Sequence, residues 1–178
     1  IAITGPESTG KSWLSRNLAE NLGGHWVPEY AREYIEALGR PYEYPDLLRI
    51  AMGQKGLEMA AVSLNPEWLF CDTELIVVKI WSMHKYGNCD PWILDRIQQS
   101  DYDLYLLCDI DLPWEPDTQR EHPHLRAWFF EWYKKELEAY GFPYRIISGN
   151  GPVRLQRAIR AVSEFFGSCP ELSNRTPC

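Results

Sequence analysis

The sequence predicts an α/β fold in which a parallel sheet carries helices on both faces. Short apolar segments alternate with longer segments of helical periodicity along the chain, and this alternation is typical of parallel sheets. A glycine-rich loop separates the first apolar segment from the first helical one. Ligands of such folds bind at the carboxyl ends of the strands, so the residues that follow strands are the first candidates for function.

Strands and helices are expected in regular succession. The run from Trp68 to Cys71 is apolar at every position, which is typical of a strand buried on both faces of the sheet. Asp46 follows Pro45 and is expected to cap the third helix. The expected strands cover residues 1–4, 25–27, 68–71, 104–108 and 144–147. The expected helices cover residues 11–22, 30–38, 46–64, 74–86, 90–99, 125–140 and 152–166.

Length and composition predict one domain and exclude some partners. With 178 residues the chain can bury a core as a single domain, which we expect at 1–167. Residues 168–178 are polar and aperiodic and are expected to form a flexible tail. The net charge of −7 argues against nucleic acid as a partner. Five cysteines without a CxxC pair, no signal peptide and no long apolar run predict a cytoplasmic protein without membrane contact, of unspecified oligomeric state.

A phosphate-binding motif follows the first strand. Residues 5–12, Gly-Pro-Glu-Ser-Thr-Gly-Lys-Ser, fit the P-loop pattern G-x-x-x-x-G-K-[ST] at every fixed position. Gly5 and Gly10 allow the tight turn, Lys11 supplies a charge for the β- and γ-phosphates, and the Ser12 hydroxyl is a Mg²⁺ ligand. The motif therefore predicts ATP and Mg²⁺ as cofactors. Further contacts with the nucleotide are expected from Glu7, Ser8, Thr9 and Trp13.

Carboxylates follow the next two strands. Asp72 ends the apolar run and is expected to bind Mg²⁺ with Ser12, and to accept the proton of an attacking hydroxyl. The alternative is that Asp72 or the next residue caps the following helix. Glu29 is a second candidate base, and Tyr30 and Arg32 are expected to contact the acceptor. The alternative for this segment is a helix start held by ion pairs.

Residues 111–124 are rich in proline and charge and are expected to form a surface loop, and the stretch 109–126 around it is expected to act as a lid. An arginine in such a loop can stabilise the charge of the transferring phosphoryl group. Arg120 is the first candidate for this role and Arg126 is the second. Together with Lys11 and Asp72, Arg120 completes the set of residues expected to be catalytic. Trp114 either stacks on the ring of the acceptor or packs the lid.

Four segments together resemble the ribosylnicotinamide kinase domain of the NadR-type NAD salvage family, in the form of a stand-alone AAA-type P-loop ATP-binding protein. They are the P-loop, Val-Pro-Glu-Tyr-Ala-Arg-Glu-Tyr at 27–34, Cys-Asp-Thr at 71–73, and the segment 111–120 with its Trp and Arg. The resemblance covers about residues 1–166. It implies a nucleoside/nucleotide-kinase-like P-loop NTPase fold and ATP-dependent phosphorylation of the 5′-hydroxyl of nicotinamide riboside. It also implies a small molecule, rather than a macromolecule, as the partner.

The residues themselves leave the acceptor open. Acidic side chains at Glu29 and Asp72 suit a cationic acceptor, and the surplus of aromatic residues suits a flat pyridinium ring. Kinases for other nucleosides or nucleotides remain as alternatives, although a phosphorylated acceptor needs more basic side chains than Arg32 alone. A regulatory P-loop ATPase without a small acceptor is the alternative from a different class of protein.

Overall fold

The computed structural model describes residues 1–117, 119–120 and 122–167. Within these residues the chain forms one five-stranded sheet of order β2-β3-β1-β4-β5, and every neighbouring pair is parallel. The predicted parallel α/β architecture is therefore confirmed. The predicted tail at 168–178 lies outside the described residues, with Cys169 and Cys178.

The elements follow the predicted order. The strands are β1 (Ala2–Thr4), β2 (His25–Val27), β3 (Leu69–Asp72), β4 (Tyr105–Cys108) and β5 (Tyr144–Ile147). The helices are α1 (Lys11–Leu22), α2 (Tyr30–Leu38), α3 (Tyr44–Val62), α4 (Leu75–Tyr86), α5 (Pro91–Gln98), α6 (Arg126–Tyr140) and α7 (Gly151–Phe166). A short 3₁₀ helix, Pro123–Leu125, precedes α6.

The start of α3 differs from the prediction, because Asp46 lies inside the helix and does not cap it. The N-cap is Glu43, and the Asp46 carboxylate accepts a hydrogen bond from the Glu43 backbone N–H at 2.8 Å, as the third residue of a capping box. Asp46 also accepts hydrogen bonds from Arg40. These bonds, the Arg40 bond first, hold the pKa of the buried Asp46 carboxyl well below its usual value.

Two hydrophobic layers enclose the sheet. Alternate residues of a strand point to opposite faces, and β4 shows this directly. Tyr105 and Leu107 pack with helices α3 to α6 on one face, whereas Leu106 and Cys108 pack with α1 and α7 on the other. Because both faces are covered, ligands can reach the sheet at its ends. No described helix has the length and apolar character that a membrane crossing requires.

Candidate active site

A cavity of 490 Å³ opens at the carboxyl end of β1, around the P-loop. Most predicted nucleotide contacts lie in its wall, and so do two residues from the predicted acceptor segment, Glu29 and Arg32. Asn150 and Gly151, at the start of α7, close it on another side. The described lining residues are Glu7, Ser8, Thr9, Gly10, Lys11, Ser12, Trp13, Glu29, Arg32, Trp81, Leu112, Pro113, Glu115, Gln119, Arg120, Asn150, Gly151 and Arg154.

Backbone geometry explains why the loop needs its glycines. Gly5 has φ +131°, and a Cβ added there would lie 3.0 Å from the backbone oxygen of Cys108. A larger residue would therefore be strained and would collide with β4. Gly10 ends the loop with φ 76° and precedes the first turn of α1, whose free N–H groups and positive dipole end favour an anion there.

The Lys11 ammonium lies folded against its own loop. It donates hydrogen bonds to the backbone oxygens of Gly5, at 3.0 Å, and of Pro6, at 2.8 Å. Thr9 braces the same turn, since its hydroxyl donates to the Pro6 oxygen at 2.8 Å. The charge is thus held inside the loop that the motif assigns to phosphate binding.

Asp72 ends β3 and is not among the described residues that line the cavity. It is buried, and its Oδ1 accepts no hydrogen bond from any described residue. Burial first, and then the nearby Glu29 carboxylate, raise the pKa of the Asp72 carboxyl to a net value of about 7. The hydrogen bond from Ser12 and the charges of Lys11 and Arg32 act in the opposite direction. A buried carboxylate oxygen without a partner, beside a serine hydroxyl, fits the oxygen ligands that Mg²⁺ requires.

The alternative role for Asp72, as a helix cap, is wrong. The N-cap of α4 is Glu74, whose carboxylate accepts a hydrogen bond from the backbone N–H of Ile76 at 2.6 Å. Between them Thr73 has φ 68°, which is rare for a β-branched residue. Its backbone N–H donates to the Ile3 oxygen at 3.0 Å. This strained residue separates the carboxylate that caps α4 from the carboxylate that lies by the P-loop, and such strain is common at functional sites.

The two residues expected to contact the acceptor, Tyr30 and Arg32, have different surroundings in the structure. Arg32 forms an ion pair with Asp117 of the lid at 3.2 Å, so it links α2 to the lid. Tyr30 is not among the described residues that line a cavity. Its backbone N–H donates to Gln54 at 2.9 Å, and its ring covers Gly53, where an added Cβ would lie 2.0 Å from it. The ring of Tyr30 thus packs α2 on α3.

The lid is attached to the P-loop through Ser8. The Ser8 hydroxyl accepts a hydrogen bond from the Glu115 backbone N–H at 2.8 Å, and the Arg120 guanidinium lies 3.4 Å from it. Arg126 donates to the backbone oxygens of Leu112, at 2.9 Å, and Ser8, at 3.1 Å. Arg120 lines the cavity, whereas Arg126 is not among its described lining residues and holds lid and loop together.

Trp114 packs the lid. Its ring centroid lies 6.0 Å from the Arg126 guanidinium carbon, and it is not among the described residues that line a cavity. Of the two roles considered for Trp114, the structure therefore favours packing in this conformation.

Arg154 is a site residue that the sequence reasoning missed. It belongs to α7 and is 1 % exposed. Its guanidinium donates to the backbone oxygens of Thr9 and Gly149, both at 2.7 Å, and pairs with the Asp111 carboxylate. It thus joins the P-loop, the lid and α7. An arginine in an amphipathic helix gives no signal in the sequence that would single it out.

A second cavity, of 370 Å³, adjoins the first. Glu7, Trp81 and Gln119 line both cavities. The second cavity is mainly aromatic and apolar, and its other described lining residues are Pro6, Ile35, Pro41, Tyr42, His84, Lys85, His122, Phe129 and Tyr133. The spacing of Trp81, His84 and Lys85 on one face of α4 is the one signal of this wall in the sequence.

Comparisons with known proteins agree with this geometry. A family model described as an AAA domain, AAA_28, matches residues 1–154. The trifunctional NAD biosynthesis/regulator protein NadR of Salmonella typhimurium is 31% identical over 124 residues, which is 67% of this chain. NadR of Escherichia coli is similar to the same extent. The chain spans 30% of the length of these curated relatives.

Two solved structures of NadR share the fold. The complex with NAD and AMP-PNP has a TM-score of 0.77 at 27% identity, covering 96% of this chain and 50% of the other. The complex with NR has a TM-score of 0.78 at 25% identity, covering 96% and 51%. These likenesses confirm the resemblance to NadR-type proteins and the P-loop fold, and the chain belongs to the AAA_28 family of AAA domains.

Proposed function

We propose that this chain is a cytoplasmic kinase that uses Mg-ATP to phosphorylate the 5′-hydroxyl of nicotinamide riboside, giving nicotinamide mononucleotide. The observation that carries the proposal is the pair of adjoining cavities, one around the P-loop and one aromatic, which meet at Glu7, Trp81 and Gln119. A kinase must hold donor and acceptor with their reacting atoms adjacent. The proposed substrates are supported by the NAD biosynthesis named for the curated relatives, and by AMP-PNP and NR in the solved NadR structures.

The cavity around the P-loop is the proposed donor site. Lys11 exchanges its bonds to the Gly5 and Pro6 oxygens for bonds to phosphate oxygens, while the N-terminus of α1 contributes its dipole. Ser12 and Asp72 are the residues that would hold Mg²⁺, which neutralises charge on the β- and γ-phosphates when bound. Arg120 supplies a further positive charge for the transferring phosphoryl group.

The aromatic cavity is the proposed acceptor site. A pyridinium ring is flat and positively charged, and the faces of Tyr42 and Trp81 offer it stacking and cation–π contacts. The ribose hydroxyl then lies at the boundary of the cavities and reaches toward Glu29, in the wall of the P-loop cavity, and toward Asp72 beside Ser12. Asp72 accepts its proton, because a carboxylate with a raised pKa is the stronger base. The hydroxyl oxygen bonds to the γ-phosphorus as the β–γ bridge breaks, which releases ADP.

The test is ADP release from Mg-ATP with a panel of nicotinamide riboside, nicotinic acid riboside and the common purine and pyrimidine nucleosides. We expect strong stimulation by nicotinamide riboside with a mononucleotide as product. Stimulation by a common nucleoside alone would assign a different acceptor. Slow ADP release that no nucleoside accelerates, together with tight ATP binding, would contradict the kinase proposal and indicate a regulatory ATPase.

A further inference from the structure

The wall of the acceptor cavity contains a cation of its own. Trp81 and Lys85 are four residues apart on α4 and therefore lie on one face of the helix. Tyr42, from the segment before α3, meets both: its ring stacks at 30° to Trp81 with centroids 6.5 Å apart, and the Lys85 ammonium lies 3.6 Å from its ring centroid. All three residues line the cavity.

The position of Lys85 places it beside the ring of an acceptor rather than beside the phosphates. Glu7, Trp81 and Gln119 mark the boundary that both cavities share, and the reacting hydroxyl must lie there. Tyr42 and Lys85 line the acceptor cavity but not the phosphate cavity. The base end of a riboside whose hydroxyl lies at the boundary therefore points toward them.

We propose that Lys85 is a specificity-determining residue, which selects among pyridinium ribosides by the charge of the ring substituent and favours a carboxylate over a carboxamide. The inference rests on the proposed function, since it assigns a role within the acceptor site. The ammonium lies over the Tyr42 ring, so it repels a cationic ring that binds beside it and weakens the cation–π attraction that Tyr42 and Trp81 offer. A carboxylate on the ring gains an ion pair with the same ammonium.

The size of the effect follows from the interactions involved. A cation–π contact or a partly screened ion pair changes affinity by roughly threefold to thirtyfold. Removing the charge should therefore weaken the binding of nicotinic acid riboside and strengthen the binding of nicotinamide riboside. The ratio of their kcat/KM values reports both changes and cancels any general loss of activity.

The experiment compares nicotinic acid riboside with nicotinamide riboside in the wild type, K85M, K85R and K135M. K85R keeps the charge, and K135M removes one from an exposed site on α6 that does not line the described cavities. In K85M the acid-to-amide ratio of kcat/KM should fall about tenfold, while K85R and K135M stay near the wild-type ratio. A K85M ratio equal to that of an active wild type would overturn the role of Lys85.

Binding measurements separate this inference from the proposed function. Calorimetry of the two ribosides without ATP gives the corresponding acid-to-amide ratio of association constants. If the wild type turns over neither riboside, the kinase proposal fails, and a tenfold fall of the binding ratio in K85M still supports the role of Lys85. If neither riboside binds to the wild type, both proposals fail.

Discussion

The two cavities meet at three residues but are built in different ways. The phosphate cavity takes seven consecutive wall residues, 7–13, from one segment, and the backbone of that segment is fixed by its own glycines and hydrogen bonds. The acceptor cavity collects its wall from Pro6 and Glu7 of the P-loop, α2, the segment before α3, α4, the lid and α6. Phosphate binding thus depends largely on a local motif, whereas the choice of acceptor depends on how distant elements pack.

The largest expected effect on activity comes from a substitution in the P-loop. Lys11→Ala removes the charge that the P-loop offers to the phosphates, and turnover should fall roughly a thousandfold. The fold should be unaffected, because the ammonium contacts only loop oxygens. ADP release and thermal unfolding are measured together, with Lys135→Ala as the control. If turnover stayed near that of the wild type, Lys11 would have no role in the reaction. The difference drawn between the two cavities would then be wrong.

Arg154 tests whether the phosphate cavity is as local as its motif suggests. Arg154→Met leaves the backbone oxygens of Thr9 and Gly149 without their donor in a buried place, which should lower the free energy of unfolding by about 3 kcal/mol. The matched control is Arg157→Met, because Arg157 lies one turn further along α7 and bonds the Ser148 hydroxyl at the surface. That change should cost less than about 0.5 kcal/mol.

Urea unfolding measures both variants. Equal stability of the two would mean that the P-loop holds its conformation without α7. A selective loss in Arg154→Met would show that even the local motif depends on one long-range contact.

The pH dependence of activity tests Asp72. Its pKa is raised to about 7, and both proposed roles, metal ligand and base, need the deprotonated form. Activity should therefore be complete well above pH 7, half of its maximum near pH 7, and lost as the pH falls through that value. We expect kcat/KM for Mg-ATP, which reports ionisations of the enzyme before it binds the triphosphate, to fall by about tenfold per pH unit below it.

Two variants identify the group whose protonation causes this loss of activity at low pH, the acid limb of the pH profile. Burial also raises the pKa of Glu74 to about 7, so Glu74→Gln should keep the limb if Asp72 causes it. Glu29→Gln removes a charge that raises the pKa of Asp72, and the limb should move to lower pH with activity retained. Loss of turnover in Glu29→Gln would instead identify Glu29 as the base.

Local patterns predicted most of the fold. Apolar runs and helical periodicity placed all five strands and seven helices of the described residues within two residues of their observed ends. The cap of α3 was missed because Glu43 and Asp46 act as a pair, and a single-residue capping rule favours the aspartate after proline. The P-loop could be predicted because its spacing alone sets its shape.

The rest of the candidate site depends on packing between distant residues. Arg154 reaches Thr9 across 145 positions of sequence, and Tyr42 meets Lys85 only because α3 and α4 pack together. Tyr30 shows the opposite error, since the segment that contains it follows a strand but its ring packs on Gly53. Position after a strand predicts which segment lies at the site, but not which side chains point into the cavities.

The smallest expected effect is on the acceptor wall. Tyr42→Leu removes the aromatic face offered to a cationic ring, so KM for nicotinamide riboside should rise about tenfold, while KM for Mg-ATP changes by less than about twofold. Tyr44→Leu is the matched control, because Tyr44 packs edge-on against Tyr86, with centroids 5.6 Å apart, and is not among the described residues lining a cavity. Steady-state kinetics with each substrate varied in turn measures both constants. If Tyr42→Leu raised both equally, the two cavities would act as one site, and packing of distant elements would then control donor binding as well.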